Sequence, residues 1–415
     1  MTQQALPRPL EDVTVLDLTL ALAGPFATLL LAGLGARVIK IENPIHGDHS
    51  RSNAPYLGPD GVKMVKETPD DVSLSVLNRL RNKLGVTLNL KSTEARGIFA
   101  DLLRKADVVV ENFSYGTLDR LGCGYEFGRT INPRIVYCSI NGFGSEGEPG
   151  AGKAVDTIIQ ALSGIMFTSG APDDPPIRVG VPVADLGAAL FGVIGLLAAL
   201  HQAKRTGTGQ HVDISMLGSV TSLVACENYE ALIECGIPVR SGQTMPRLAP
   251  FGMYRARDGY VAVCAPTDNF AQRLFQAMGV PGLNDDSRFR TRDLRVKNVG
   301  ALDALIGGWL APLAMSDAVA RLEAAGVPAA EVREPQAAVR DPRVIARGET
   351  VLLEHPKHGA VAELYGMGLP MRFSGASAGY DQPAPELGEH NSKVYGELLG
   401  YSAERIAQLK AQGVI

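Results

Sequence analysis

The chain lacks a disulfide framework, a basic run, a long uninterrupted apolar run and the short motifs of metal and nucleotide chemistry. Its five cysteines, Cys123, Cys138, Cys226, Cys235 and Cys264, are odd in number, scattered and never in a C-x-x-C pair. That argues against a disulfide scaffold or a zinc site and suits a reducing compartment, so a cytoplasmic location is expected. Lys and Arg total 40 against 44 acids, for a net charge of −4, and no stretch concentrates them. Nucleic acid is therefore not an expected partner. The opening MTQQALPRPLEDV carries acids where a secretory signal needs cations and then an apolar core, and no such signal is expected. Leu20–Gly35 is interrupted by Pro25, and Val183–Leu200 carries Asp185 near its start. Each reads as too short or too broken to span a bilayer, so both are expected as buried helices and no membrane partner is expected. Among the histidines, His46 and His49 bracket Asp48, and His355 and His358 lie three apart, with no HExxH context or cysteine partner. No metal site is expected.

Further absences narrow the chemistry. GSEGEPGAGK has a phosphate-loop spacing between Gly147 and Gly152 followed by Lys153, but Ala154 stands where the loop needs a hydroxyl. It reads as a glycine-rich surface loop whose lysine could still hold a phosphate. In LAGLGARVIKIE the strand follows the glycines instead of preceding them, so a dinucleotide fingerprint is not supported.

What is there is a globular composition, with 46% hydrophobic and 20% charged residues over 415 positions, enough for two or three domains. The 46 glycines and 26 prolines are spread along the chain and imply many turns. Short apolar runs, VTVLDL (Val13–Leu18), RVIKIE (Arg37–Glu42), VTLNL (Val86–Leu90), DVVVEN (Asp107–Asn112) and RIVYCSIN (Arg134–Asn141), alternate with helical patterns. Pro25 marks one helix start and Gly35 its stop, and Ser92 reads as an N-cap with Glu94 in the first turn. Strands alternating with helices predict a doubly wound parallel α/β domain. GAALFGVIGLLAALHQA is apolar all round and is expected inside that domain, with Gly187, Gly192 and Gly195 allowing close backbone approach. After Ser215 the pattern changes to a long helix over Met216–Cys235 and a hairpin, FGMYRARDGYVAVCA, turning at Asp258 and Gly259. We expect a large α/β domain over 1–215, completed by about 375–415, a smaller α+β domain over 216–335, and a returning linker over 336–375. The last segment reads as two helices.

Asp185 lies among apolar residues in RVGVPVADLGAALFG. The pattern suits a helix N-cap, and equally a partly desolvated carboxylate able to attack an activated carbonyl. Asp17 and Asp156 are acids in similar contexts.

Several segments together resemble the family III CoA transferases, the group that includes carnitine-dehydratase, formyl-CoA transferase and α-methylacyl-CoA racemase types. They are LEDVTVLDLTLALAGPFATLLLAGLGARVIKIENPIHGDHSR, LRNKLGVTLNLK, ADVVVENFSYGTLDRLG, NPRIVYCSINGFG, DTIIQALSGIM, ADLGAALFGVIGLLAALHQAKRTGTGQHVDISM and APELGEH. The resemblance runs nearly end to end and is weakest over 240–335. It implies a Rossmann-like large domain, an interlocked homodimer, and acyl-CoA and a carboxylic acid as substrates, with no cofactor beyond CoA. It also implies that the acyl end sits where the large domain meets the partner's small domain. Asp185 matches the family's nucleophile, which forms a mixed anhydride and then an aspartyl-CoA thioester, and Asp156 matches an acidic position near it. Asn112, Phe113 and Arg120 match CoA-contacting positions, Lys153 matches a phosphate-binding lysine, and Arg104 could pair with phosphate. Two departures matter. Val155 in AVDTII replaces the histidine of the racemase branch, which removes half of an acid–base pair. Leu22 stands where the formyl-CoA transferase branch has glutamine, and SGQTMPRLAPFG lacks that branch's four glycines, which puts oxalate and formate in doubt as substrates. Gln243 and Arg247 in that stretch lie where a substrate loop would close, and an arginine there could hold a second carboxylate. The expected activity is CoA transfer to a small dicarboxylate. The alternative is an isomerase of the same family, moving CoA between two carboxylates of one acid or, less in keeping with Val155, racemising an α-carbon.

Overall fold

The computed structural model describes residues 6–145, 153–245 and 247–415. The chain forms two compact units. One comprises Met1–Ser163, Val179–Leu223 and Val339–Ile415, the other Gly164–Arg178 and Val224–Ala338.

The first unit is built on six parallel strands: β1 (Thr14–Asp17), β2 (Arg37–Glu42), β3 (Lys83–Thr87), β4 (Val108–Glu111), β5 (Val136–Asn141) and β6 (His211–Ser215). Their order is β3-β2-β1-β4-β5-β6. This is the order of a Rossmann-type doubly wound sheet, whose winding reverses between β1 and β4. The four central strands are apolar because helices cover both faces of the sheet. Four helices matter for the site: α1 (Ala23–Gly33), α2 (Ala95–Leu103), α3 (Asp156–Leu162) and α4 (Val183–Thr206). Gly35, at φ 104°, ends the turn after α1, where only glycine is unstrained.

Several expectations need correction. The third strand begins at Lys83, three residues before the apolar run suggested, because Lys83 is buried as an ion-pair partner of Asp17. Ser92 does not cap α2. Its N–H closes a turn onto Asn89 O, and the helix starts at Ala95 with Glu94 before it. The run around α4 is 24 residues, long and apolar enough to cross a membrane by length and composition alone. About half of it is buried, against α1, β5 and β6. It is not enclosed on all sides, for Leu190, Phe191 and Ile194 are exposed in the single chain. Its glycines meet side chains, not backbone: a Cβ at Gly195 would lie 2.8 Å from Val212 Cγ1, and one at Gly192 3.2 Å from Ile140 Cδ1.

The expected linker is more than a connection. Thr350–Leu352 pairs antiparallel with Tyr365–Met367, and Leu353 joins a small core with Leu57, Val76, Leu77, Leu80 and Ala384. Residues 56–73 add a three-stranded antiparallel sheet with no counterpart in the sequence reading. At the C-terminus a wide-turned helix, Ser392–Leu398, docks on β3, and a regular one, Ala403–Ala411, packs against that helix. The Tyr395 hydroxyl donates to Thr87 O, and Val394, Tyr395 and Leu409 enter the main core.

The second unit holds an antiparallel sheet of β7 (Phe251–Arg255), β8 (Tyr260–Cys264) and β9 (Ala329–Glu331), with its own core around Phe275, Phe289 and Leu302. It starts later than expected. The predicted long helix breaks into Met216–Val224 and Tyr229–Glu234, because Asn228 caps the second piece through Ala231 N–H. It also takes residues 164–178 from the stretch assigned to the large domain. They are held by Gly242 N–H to Gly170 O, and by Arg240, which donates to Pro172 O and lies over the Phe167 ring.

Candidate active site

In a doubly wound sheet, ligands bind outside the carboxyl ends of the strands where the winding reverses. Here that point lies between the ends of β1 and β4. A cavity of about 700 Å³ opens there, lined by residues 20–23, 112–116 and 140–144 together with Arg120, Ala154, Val155, Asp156, Asp185 and Met216.

Its floor rests on a buried charge network. Asp17, the last residue of β1, accepts from the Thr19 hydroxyl (2.5 Å), the Thr28 hydroxyl (2.6 Å) and Lys83 Nζ (2.9 Å). Lys40 bridges Asp17 and Asp48 and donates to Thr19 O. Burial pushes the Asp17 carboxyl up, but Lys83 and Lys40 outweigh it and hold it below 3.8. Burial also raises Asp48, yet Lys40 and the N–H groups of Ser50 and Ala21 bring it down to about 2. Both carboxylates are therefore structural anions.

The network fixes the segment leaving β1. Asn112, just after β4, binds both backbone groups of Leu20: its Oδ1 accepts from the N–H (2.7 Å) and its Nδ2 donates to the carbonyl (2.8 Å). Ala21 sits at φ 65°, strained for a residue with a Cβ. Its N–H donates to Asp48 Oδ1 (3.0 Å), and its carbonyl accepts from Arg79 Nη1 (2.9 Å). Leu22 follows as the residue before α1, buried at the cavity wall.

Across the cavity lie two acids. Asp185 is in the first turn of α4, and Asp156 is the first residue of α3. Asp156 Oδ1 accepts from Ala184 N–H (2.9 Å) and its Oδ2 from Gln160 Nε2 (2.8 Å). Asp156 thus caps α4 from outside, which leaves Asp185 facing the cavity. Burial pushes the Asp185 carboxyl up, the Asp156 charge adds to this, and Arg79 opposes it; the result is about 6. A carboxylate so placed is ionised at neutral pH, poorly solvated, and able to act as a nucleophile. The N-cap reading of Asp185 is not what the geometry gives, since Pro182 occupies that position and Asp156 supplies the capping bond.

The cavity gathers six of the sequence-derived residues: Asp185, Asp156, Asn112, Phe113, Arg120 and Leu22. The Phe113 N–H donates to Glu111 Oε2, and Arg120 donates to the Thr117 hydroxyl at the cavity wall. Lys153 is exposed and immediately precedes the lining residue Ala154. Gly147 and Gly152 lie outside the described residues. Arg104 is not brought to the cavity; it is ion-paired with Asp101 (2.5 Å) at the end of α2, beside a different groove. Gln243 and Arg247 belong to the second unit, where Gln243 O accepts from Met253 N–H and Arg247 pairs with Glu227 (2.6 Å).

Sequence reasoning missed Arg79 and Glu111. Glu111 closes β4, and burial pushes its carboxyl up to about 7 against the hydrogen bonds from Ser139 and Phe113. An acid ending an otherwise apolar strand was the available signal. Arg79 carried none, for its helix, Leu74–Arg79, has no motif.

Comparison with known proteins agrees with this architecture. A family model described as CoA-transferase family III matches residues 10–391. The chain is 35% identical to the succinyl-CoA–D-citramalate CoA-transferase of Chloroflexus aurantiacus, over 100% of both chains. It is 36% identical to the acetyl-CoA:oxalate CoA-transferase of Acetobacter aceti, over 97% of this chain and 99% of that one. The crystal structure of a CAIB/BAIF family protein from Brucella suis superposes with a TM-score of 0.80 at 33% identity, covering 94% of this chain and 100% of that one.

Proposed function

The chain belongs to CoA-transferase family III, and from that premise we propose that it moves CoA from an acyl-CoA thioester to a free small dicarboxylic acid, with Asp185 as the nucleophile. The observation that carries this reading is the raised, cavity-facing Asp185 carboxyl at the point where the sheet reverses its winding. A dicarboxylate acceptor is supported by the two relatives, whose names pair an acyl-CoA with citramalate or oxalate, both dicarboxylic acids. The second of these tempers the doubt about oxalate raised by Leu22.

The chemistry balances without a further cofactor. An Asp185 oxygen attacks the thioester carbonyl, a C–O bond forms, the C–S bond breaks and CoA leaves as thiolate. The thiolate then attacks the Asp185 side of the mixed anhydride, releasing the donor acid and leaving an aspartyl-CoA thioester. The acceptor carboxylate attacks that thioester, and the thiolate returns to the acceptor's acyl carbon, freeing Asp185. Each step exchanges one activated acyl group for another, so positioning and exclusion of water carry the rate. Asp156 positions Asp185 by capping α4 and raises its basicity. Asn112 holds the Leu20–Ala21 wall, while Phe113, Arg120 and Lys153 line the path for the CoA moiety and its phosphates. Val155 at the cavity wall offers no proton-transfer group, which disfavours racemisation.

A homodimer completes the proposal. Leu190, Phe191 and Ile194 of α4, with Ile158 and Leu162 of α3, give an exposed apolar face next to the site that a second copy would cover. Five free cysteines suit a reducing cytoplasm. The test is to mix the protein with acetyl-CoA or succinyl-CoA and a panel of free acids and weigh every thioester formed. A new thioester that needs both substrates and disappears in Asp185→Asn is expected. Formation of the same thioester by Asp185→Asn would refute the role of Asp185.

A further inference from the structure

Arg79 ends the short helix Leu74–Arg79 and reaches the Leu20–Ala21 wall of the cavity, where Nη1 donates to Ala21 O at 2.9 Å. Among the described residues this is its one hydrogen bond. A guanidinium carries five N–H groups, so most of its donors are uncommitted. The anions within its electrostatic reach are Asp48 and Asp185. Asp48 is already served by Lys40 at 3.1 Å and by the N–H groups of Ser50 and Ala21. Asp185 loses its charge as soon as it is acylated. The cation is thus half-buried and held at a fixed place by a strained backbone segment, and at the stage when the acceptor must bind its remaining anion is Asp48, which is already shared with Lys40.

We infer that Arg79 binds the second carboxylate of a dicarboxylic acceptor while the first is presented to the acyl centre on Asp185. This rests on the transferase reading and names the residue that selects its substrate. In that step the acceptor's free carboxylate oxygen attacks the aspartyl thioester carbonyl, the C–S bond breaks and CoA thiolate departs; Arg79 neither gains nor loses a proton. The CoA phosphates are not assigned to it, because a pantetheine arm separates them from the thioester and the proposed path for them runs along Arg120 and Lys153. Arg247 is a weaker choice, since Glu227 already neutralises it.

The test uses acetyl-CoA as donor, so that only the acceptor brings a second carboxylate, and compares succinate with butyrate. Wild type is expected to prefer succinate. Arg79→Gln should raise the KM for succinate roughly 10- to 100-fold, the range for a charged hydrogen-bonded pair, and collapse the preference. Arg79→Lys should recover part of it. An equal loss for both acids, with the preference intact, would overturn the inference and leave Arg79 as a group that only tunes Asp185. Succinate binding, read as thermal stabilisation, separates this from the underlying reading. Succinate should stabilise wild type and Asp185→Asn but not Arg79→Gln, and butyrate should stabilise none. If wild type transfers CoA to neither acid, the transferase reading falls while the Arg79-dependent binding still decides this one. Equal stabilisation of Arg79→Gln and wild type by succinate refutes it.

Discussion

Replacing Asp185 by Asn should abolish transfer and at the same time make the protein more stable. The fold lifts this carboxyl from 3.8 to about 6, chiefly by burial and then by the Asp156 charge. Each pH unit of that lift is worth about 1.4 kcal/mol, so keeping Asp185 ionised costs the native chain about 3 kcal/mol at neutral pH. Between pH 3.8 and about 6 the folded chain holds the proton more tightly than the unfolded chain. Stability therefore falls as pH rises through that window, and the full cost stands above it. Asn keeps the shape and removes the ionisation. With an unfolding entropy of about 2.1 cal/mol/K per residue over a chain of this length, about 3 kcal/mol raises Tm by roughly 3 °C. Thermal unfolding of wild type and Asp185→Asn at about pH 7.5 and about pH 4 reads this directly. The gain should be present at the higher pH and nearly gone at the lower. A lower or unchanged Tm at the higher pH, or the same gain at both, would refute the account of Asp185 as a carboxylate held charged against its surroundings.

Three other perturbations test the surroundings of the site. Asp156→Asn removes the charge that raises Asp185 while keeping an oxygen for Ala184 N–H, so the acid limb of kcat/KM should move to lower pH; a limb that stays in place would mean that burial alone sets the Asp185 carboxyl. Lys83→Met leaves Asp17 buried beside Lys40 only, and should cost about 3–5 kcal/mol in urea unfolding, whereas a loss under about 1 kcal/mol would deny Lys83 a structural part. Gly24→Ala would drive a methyl into Thr19 Cγ2, forcing aside the side chain that donates to Asp17. It should lower stability by about 1–3 kcal/mol together with kcat/KM, and unaltered values for both would contradict the packing described.

The periodic parts of this fold are readable in its sequence because burial on both faces of the sheet demands continuous apolar strands, and β1, β2, β4 and β5 supply them. Reading fails where a charge is buried. Lys83 opens β3 and Lys40 sits inside β2, and each is tolerable only because Asp17 and Asp48 come from elsewhere in the chain to neutralise it. A reading by apolar runs starts the third strand late for that reason. It also treats 336–375 as a link, because short pairings such as Thr350–Leu352 with Tyr365–Met367 have no periodicity long enough to register. The break after Val224 depends on Asn228 acting as a cap, and an asparagine inside an apolar pattern does not announce which part it will take.

The candidate site is less legible still, and topology explains why. Its walls come from residues 20–23, 112–116, 140–144, 154–156 and 185, all at strand ends or helix starts. No spacing along the chain connects them; parallel strands of common direction bring their carboxyl ends to one edge, and only the strand order says which gap opens there. Asp185 was within reach by its apolar context and the family resemblance, and Asp156, Asn112, Phe113, Arg120 and Leu22 by the resemblance. Arg79 was out of reach, and its neighbours make the reason concrete. Arg79, Arg81 and Lys83 alternate along LNRLRNK with nothing local to distinguish them. Lys83 goes to Asp17, and Arg81 goes to Met367 O and the Tyr380 ring, both as buried structural groups. Arg79 goes to Ala21 O at the cavity wall. Three cations at equal spacing thus meet three separate fates, each decided by a partner remote in sequence. The one whose donors stay uncommitted is the one bound to the cavity wall, and the selectivity inferred for it would reside in tertiary structure and not in any motif.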